Sequence, residues 1–144
     1  MLESFRARVG VVILNENKLL LLRYLKQNPP AIFLPGGVVR LGEKLEEAAK
    51  REVKAQTNLN IELQKLLYIY DNIKENGNKH RLDIFFLAKA KNIQELNQNF
   101  SDIKLDWINV DLLPSIDINP KIIKDQLLKD WKEKFKSEAK YLRD

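Results

Sequence analysis

Two apolar runs near the start of the chain constrain its fold more than any other feature of the sequence. They are Arg6–Leu14 (RARVGVVIL) and Lys18–Leu25 (KLLLLRYL), with the polar residues Asn15-Glu16-Asn17 between them. Aliphatic and β-branched runs separated by such a short polar break predict two strands joined as a hairpin. Because both runs are continuously apolar and do not alternate, both faces of these strands need cover. The sequence therefore predicts a sheet with other structure packed on each side.

Length and composition limit the chain to one folded unit. Its 144 residues are enough to bury a core but too few for two ordinary domains, so we expect a single domain over residues 1–144. The apolar runs are far shorter than the about 20 residues that span a bilayer. No signal peptide is indicated and cysteine is absent, which excludes disulfide and thiolate chemistry. We expect a cytoplasmic protein with no membrane partner.

Charge gives little support for a nucleic-acid partner. The net charge is +5, and it is spread along the chain. Basic residues are concentrated in the last 25 residues, but they are accompanied by acids and have the pattern of a solvated helix face. No basic motif interleaved with aromatic residues accompanies them, which disfavours nucleic-acid binding as the main role.

Helix-forming and β-forming segments follow the hairpin. Strong helix formers followed by an asparagine, which tolerates the left-handed conformation, predict a helix and its C-cap. Too few crossover helices are present for a doubly wound sheet, so we expect a mixed sheet flanked by helices. The predicted elements are a helix over Lys44–Thr57 ended by Asn58, strands over Leu59–Tyr70 and Arg81–Ala90 around a polar loop Asp71–His80, a strand over Leu105–Val110, and a final amphipathic helix opened by Pro120 with Ile122, Ile123, Leu127, Leu128, Trp131 and Phe135 on its apolar side.

One carboxylate of the first predicted helix lies on its apolar side. At about 100° per residue, Glu52 shares a stripe with Leu45, Ala48 and Ala49. A carboxylate on a packed face has to be paired, protonated or metal-bound, because leaving it unpaired costs several kcal/mol. Two interpretations follow from the residues. One is a buried salt bridge with an arginine, and the other is a cation ligand facing the Gly36-Gly37 loop, whose glycines allow the backbone to approach a ligand closely.

The segment from Gly37 to Leu59 (GVVRLGEKLEEAAKREVKAQTNL) resembles the Nudix box. The pattern of that box is Gly, five residues, Glu, seven residues, Arg-Glu, an aliphatic residue, any residue, Glu-Glu, any residue, Gly and an aliphatic residue. The usual Leu-Pro-Gly precedes it at residues 34–36, and many matches at fixed spacing are far more specific than a single glycine motif. The resemblance implies an α/β protein with the Nudix fold, an α/β/α sandwich around a mixed β-sheet. The residues in register are Gly37, Glu43, Arg51, Glu52, Val53 and Leu59.

The resemblance also implies an activity. Nudix enzymes hydrolyse a nucleoside diphosphate linked to another group, with Mg²⁺ or Mn²⁺ as the cofactor. Carried onto this sequence, the metal ligands implied are Glu52, Gln56 and the carbonyl of Gly36, and a salt bridge between Glu43 and Arg51 would fix the loop against the helix. The residues implied in catalysis are therefore Glu52, Arg51 and Glu43.

This chain departs from the Nudix box at the Glu-Glu pair and at the glycine that follows it. The pair reads Ala55 and Gln56, and the glycine is Asn58. Because Mg²⁺ can bind through one or two carboxylates and substrate phosphates, Glu52 could still hold a metal weakly, in the presence of substrate. Two functions stay open: a weakened hydrolase of a nucleoside diphosphate derivative, and a catalytically impaired module that binds a nucleotide or a protein.

Residues outside the metal set complete the predicted site. Cations and the glycine loop are predicted to bind substrate phosphates, at Gly37, Arg23, Arg40 and Arg81, with ordinary surface positions as the alternative for each arginine. An acid outside the box could serve as an auxiliary base or ligand, and Asp102 is preferred to Asp83 and Asp106, with solvated loop acids as the alternative.

Three further expectations concern aromatic residues, loops and assembly. His80 is interpreted as an exposed residue at the end of a loop, with a phosphate contact or base as the alternative. Tyr68 and Tyr70 are predicted to pack together on one strand face, with a nucleobase pocket as the alternative. By analogy with the family, substrate specificity is assigned to Leu25–Ile32 and Asp71–His80, and a homodimer is possible.

Overall fold

A mixed β-sheet forms the centre of the protein in the computed structural model, which describes residues 4–98 and 100–144. The strands are β1 (Ser4–Asn15), β2 (Lys18–Tyr24), β3 (Ala31–Phe33), β4 (Gly36–Val38), β5 (Ile61–Lys74), β6 (Lys79–Ala90), β7 (Ile103–Asn109), β8 (Ile118–Asn119) and β9 (Lys140–Leu142), and the helices are α1 (Leu45–Thr57) and α2 (Ile123–Lys132). The strand order is β8-β3-β2-β1-β6-β5-β9, with β4 paired to β1 and β7 to β2. Strand β1 is antiparallel to β2 and parallel to β6, so the sheet is mixed as predicted.

Side chains of the central strands alternate between two hydrophobic cores. In β1, Val11 and Ile13 pack in the core that contains Val53 of α1, whereas Val12 packs in the core that contains Leu127 of α2. Strands β2 and β6 divide their residues in the same way, because successive side chains of a strand point to opposite faces. The two helices therefore cover opposite faces of the sheet, and the predicted α/β/α sandwich is confirmed.

The first predicted helix is correct to within one residue. It runs over Leu45–Thr57, and Asn58 ends it with φ of 65°, donating its backbone N–H to the carbonyl of Lys54 over 3.0 Å. Leu45 departs from the prediction, since it is 37% exposed and lies outside the apolar stripe.

The predicted polar loop Asp71–His80 is wrong. Strand β5 continues to Lys74 and β6 begins at Lys79, and these two residues are partners in the antiparallel ladder. The sequence prediction followed the polar composition of this segment. Backbone pairing between two long strands satisfies N–H and C=O groups whatever the side chains are, so the strands extend until residues 75–77 form the turn.

The final helix begins later than predicted. Pro120 precedes it and accepts the backbone N–H of Ile123, the first residue of α2. The helix ends at Lys132, and Phe135 lies beyond it with φ of 54° while still packing against the core. Neither helix in the described part of the chain is long and apolar enough to cross a membrane.

A buried carboxylate attaches α2 to the sheet. Asp130 is 3% exposed and accepts a hydrogen bond of 2.6 Å from the hydroxyl of Tyr68, which is itself 1% exposed. Gln126 and Lys140 also donate to Asp130. The hydroxyl of Tyr70 donates to Asp144 over 2.8 Å. Both tyrosines lie in the core beside α2, so packing within the protein accounts for them.

Replacing Tyr68 with Phe should lower the free energy of unfolding by about 1–3 kcal/mol, because the Asp130 carboxylate would stay buried with one donor fewer. Urea unfolding followed by circular dichroism measures this change. Tyr141→Phe is the matched control, since that tyrosine also donates to an aspartate, Asp71, but is 54% exposed. Equal losses in the two variants would contradict a structural role for the Tyr68–Asp130 contact.

Candidate active site

Arg51 connects the loop after β4 with helix α1. Its Nε and Nη2 donate to the carboxylate of Glu43 over 2.7 and 2.9 Å, and its Nη1 donates to Oε1 of Glu52 over 2.6 Å. Nη2 also donates to the carbonyl of Val38 over 3.1 Å. The salt bridge between Glu43 and Arg51 that the Nudix resemblance implies is therefore present. A planar guanidinium with several donors suits this task, because it can hold two carboxylates and a carbonyl at fixed angles.

Glu43 is held in its charged form by these contacts. Hydrogen bonds from the Arg51 side chain, and then from the backbone N–H of Arg40, lower its pKa to about 2. The same pairing raises the pKa of Arg51. Both groups are thus ionised at neutral pH, and their ion pair attaches the loop over residues 39–44 to the helix.

Glu52 lies directly against the backbone of Gly37. A methyl group built on Gly37 would be 2.5 Å from the carboxyl carbon of Glu52 and 2.7–2.8 Å from its two oxygens. Only a glycine leaves room for this approach. The side chain of Glu52 is 21% exposed and also pairs with Arg51. The sequence left two interpretations of Glu52, a buried salt bridge with an arginine and a cation ligand facing the glycine loop. The structure shows a salt bridge with Arg51 and places Glu52 against the glycine loop, and its role as a cation ligand stays a prediction.

Gln56 pairs with Gly36 through both ends of its side-chain amide. Its Oε1 accepts the backbone N–H of Gly36 over 3.0 Å, and its Nε2 donates to the carbonyl of Gly36 over 2.8 Å. The same Nε2 lies 3.5 Å from Oε2 of Glu52. The –NH₂ group therefore bridges the Gly36 carbonyl and the Glu52 carboxylate, the two oxygens that the resemblance assigns to a metal ion.

This donor set does not fit a resident divalent cation. In residues 4–98 and 100–144, no group of three or more histidine, cysteine or acidic side chains is arranged to hold a metal ion. Ala55 has no side-chain oxygen, and the Gln56 oxygen and the Gly36 carbonyl are bonded to each other's groups. Mg²⁺ prefers six oxygen ligands, several of which can be water or phosphate. Glu52 can offer one contact to an ion that already carries its other ligands.

The other predicted residues have contacts of their own. Arg23 on β2 donates from Nε to Asp106 on β7 over 2.9 Å, so these two predicted residues form an ion pair. Arg40 is exposed and contributes its backbone N–H to Glu43. Asp102 precedes β7, is 39% exposed, and lies 3.6 Å from Nζ of Lys26.

Two positions interpreted as surface residues are more buried than expected. Asp83 is 1% exposed and accepts two hydrogen bonds from Arg81, of 2.6 and 3.1 Å, so the solvated-loop interpretation of Asp83 is wrong. His80 lies within β6, 2.8 Å from an oxygen of Asp71, and its ring contacts Phe5 edge-on. His80 lies in a strand because β6 starts earlier than predicted, at Lys79. Asp83 lies within the predicted strand and is buried there, where β6 has β1 on one side and β5 on the other.

Sequence reasoning missed Arg8 and Tyr24. Arg8 is only 9% exposed, and its guanidinium lies over the Phe33 ring at 5.2 Å. Burial raises the pKa of Tyr24. The charges of Glu52 and Asp102 raise it as well, whereas Arg8 lowers it. Arg8 could have been found by the argument that found Glu52, since it is a charged residue inside an apolar run.

Similarity to known proteins agrees with this arrangement. The model of the NUDIX domain matches residues 4–130. An ADP-ribose pyrophosphatase of Methanocaldococcus jannaschii is 32% identical over 127 residues, which is 86% of this chain and 73% of that protein. A putative 8-oxo-dGTP diphosphatase of Bacillus subtilis is 31% identical over 104 residues, covering 72% of this chain and 66% of that protein.

Solved structures show the same fold. A MutT NUDIX hydrolase from Burkholderia pseudomallei superposes with a TM-score of 0.73 at 25% identity, over 88% of this chain and 98% of that one. A NUDIX hydrolase from Nitrosomonas europaea gives a TM-score of 0.76 at 21% identity, over 99% and 78% of the two chains. With a family match over residues 4–130 and a relative above 30% identity, this chain belongs to the Nudix family.

Replacing Glu43 with Gln should lower the melting temperature near neutral pH, because Arg51 would lose a charged partner. The pKa of Glu43 is lowered by folding, so its contribution to stability is present above the unfolded value and is lost as the pH falls. The gap between the two melting curves should therefore shrink as the pH is lowered from about 4.5 towards about 2.

Melting temperatures recorded by circular dichroism across this pH range test the expectation. Glu46→Gln is the control, since Glu46 is an exposed acid on the same helix. Its melting curve should follow that of the wild type. A gap for Glu43→Gln that keeps its size below pH 4.5 would contradict the assignment of the lowered pKa.

Proposed function

We propose that this chain hydrolyses the phosphoanhydride of a nucleoside diphosphate derivative, slowly, with water as the nucleophile. The Glu52 carboxylate against Gly37 is the observation that carries the proposal. A binding module has no use for a carboxylate at this position, whereas phosphoanhydride hydrolysis needs one to meet either a cation or the attacking water. The relatives named as a pyrophosphatase and a diphosphatase support the same reaction class.

Each of the box residues has a task in this proposal. Arg51 orients Glu52 by donating to its Oε1, and Glu43 fixes Arg51 in turn. Oε2 of Glu52 keeps only the long contact to Gln56 and is the oxygen available to the reaction. Gly37 keeps the backbone close to that carboxylate, so that a diphosphate can reach it. Arg40 and Arg81 supply positive charge for the phosphates, and Asp102 is the auxiliary base.

Mg²⁺ or Mn²⁺ belongs in this proposal as an ion delivered by the substrate. When bound, such an ion neutralises the charge of the phosphates. The protein residues that would meet it are Glu52 and, after its amide has moved, Gln56. Retention of the ion would depend on the substrate because the protein offers a single carboxylate.

A second function is favoured by one observation, the double hydrogen bond between Gln56 and Gly36. This bond occupies the Gly36 carbonyl and closes the loop without a metal. A protein with such a closed centre could bind a nucleoside diphosphate derivative and leave it intact. The predicted homodimer, the single domain over residues 1–144 and the cytoplasmic location stay predictions.

Two kinds of variant separate the two functions by their turnover. One restores the carboxylates of the box, and the other removes the carboxylate of Glu52. Two carboxylates introduced by Ala55→Glu and Gln56→Glu together should raise the metal-dependent rate about 10²- to 10⁴-fold, if each contributes roughly 1.5–3 kcal/mol to the transition state. Glu52→Gln should reduce the wild-type rate at least about tenfold. Product release from ADP-ribose and other nucleoside diphosphate derivatives, with Mg²⁺, Mn²⁺ or a chelator, gives these rates.

Glu46→Gln serves as the control for a lost charge on α1 and should leave the rate unchanged. If the restored double variant gains no metal-dependent turnover, the hydrolase proposal is wrong. Nucleotide binding by the wild type without product in any metal, together with turnover in the restored variant, would identify the second function.

A further inference from the structure

Arg8 is a buried arginine whose guanidinium has no hydrogen-bond acceptor among the residues that the structure describes. It lies on β1, opposite Asp83 of β6, on the face of the sheet away from α1. Its guanidinium stacks over Phe33 at 5.2 Å, and Tyr24 contacts the same ring edge-on. A guanidinium carries five N–H donors, and burial normally requires that they be paired. Arg8 is 9% exposed, and because no fully buried side-chain nitrogen or oxygen of the described residues lacks a partner, its unpaired donors are the ones that reach the surface.

The nearest carboxylate is already used by another arginine. Arg81 donates to both oxygens of Asp83, over 2.6 and 3.1 Å, and Asn72 donates to Oδ2 over 3.2 Å. Arg8, Arg81 and Asp83 together carry a net charge of +1 in a place where Asp83 is 1% exposed. The group therefore has one positive charge and one set of donors left over.

The pKa of Arg8 also indicates a positive charge that is not fully compensated. Burial is the largest cause that lowers the pKa of Arg8, and repulsion from Arg81 lowers it further, while Asp83, Tyr24 and Glu52 raise it by smaller amounts. Asp83 and Glu52 thus only partly compensate the cost of burying this cation. An anion placed between the two arginines would offset the cost of burying the Arg8 charge and its repulsion from Arg81. It would also accept hydrogen bonds from the free donors.

We propose that Arg8, together with Arg81, binds a phosphate-type anion of the ligand, on the face of β1 opposite helix α1. Two arginines held beside each other suit a phosphate group, because each planar fork can donate two hydrogen bonds to its oxygens. The inference rests on the proposed function to the extent that the anion is part of a nucleoside diphosphate derivative. Arg8 pairs with Val38 of β4, the residue after Gly37, and Glu52 lies against Gly37, so β4 connects the two places.

Binding measurements without any metal test this inference. Isothermal titration with inorganic phosphate, pyrophosphate, ADP-ribose and adenosine, in the presence of a chelator, gives the affinities for the wild type and for Arg8→Met. Methionine keeps the unbranched apolar stem over Phe33 and removes the charge. We expect Arg8→Met to weaken binding of the phosphate-bearing ligands about 10- to 100-fold and to leave adenosine unaffected.

Arg6→Met is the matched control, because Arg6 lies two residues away on the same strand and is exposed. It loses the same charge and should change the affinities less than about twofold. Pyrophosphate binding that needs Arg8 would assign the anion to the diphosphate itself. Binding of ADP-ribose that needs Arg8, with no binding of pyrophosphate or phosphate, would assign it to the phosphates in the context of the whole nucleotide.

Thermal melting separates an anion site from a purely structural role. Without ligand, Arg8→Met should melt at the wild-type temperature or above it, because a poorly compensated buried charge has been removed, and it should lose the rise that pyrophosphate gives the wild type. A variant that melts lower and still gains that rise would overturn the inference, as would equal affinities for Arg8→Met and Arg6→Met.

Arg8→Lys keeps the inference testable if the methionine variant does not fold. Lysine retains the charge and loses the planar fork, so phosphate binding should weaken about tenfold while the fold is kept. Unchanged phosphate binding by Arg8→Lys, or by a folded Arg8→Met, would overturn the proposal. These readouts do not involve hydrolysis, so a failure of the proposed reaction and a failure of this site are distinguishable.

Discussion

A sheet that is buried on both faces is the constraint on which the rest of this structure depends. Strand β1 pairs with β2, β4 and β6, and its side chains alternate between two cores. Any charged group next to this sheet has to find a partner, because water does not reach it freely. Asp130 is paired by Tyr68, and Asp83 by Arg81. The same demand explains the contacts of the candidate active site.

In the active site, that demand is met by a chain of hydrogen bonds that starts at Glu43. Glu43 holds Arg51, Arg51 holds Glu52, and Glu52 lies against the backbone of Gly37. Gln56 then closes the glycine loop by pairing with its backbone. Hydrogen bonds between protein groups thus connect the loop with the helix. A neutral amide, Gln56, stands at one of the two positions where the family pattern has a glutamate.

Predictions from the sequence were correct where the spacing of residues along one element decides the local structure. The helix, its asparagine C-cap, the hairpin and the pairing of Glu43 with Arg51 all depend on residues that are close in sequence or fixed by the box spacing. Predictions were less accurate where hydrogen bonds to a neighbouring strand decide where a strand begins and ends. Strands β5 and β6 extend through residues that look like a loop, because each supplies hydrogen bonds to the other. Asp83 is buried because its strand has a neighbour on each side, β1 and β5.

The sequence by itself determined the family, the two-faced sheet and the position of Glu52 on the inner side of its helix, since these follow from periodicity and from a motif of fixed spacing. Only the tertiary structure decided which groups each charge meets. It placed Gln56 on Gly36, twenty positions away, and Arg8 beside Asp83, seventy-five positions away in the chain. Such contacts depend on strand register and on the chain's path between elements, and no local pattern contains that information.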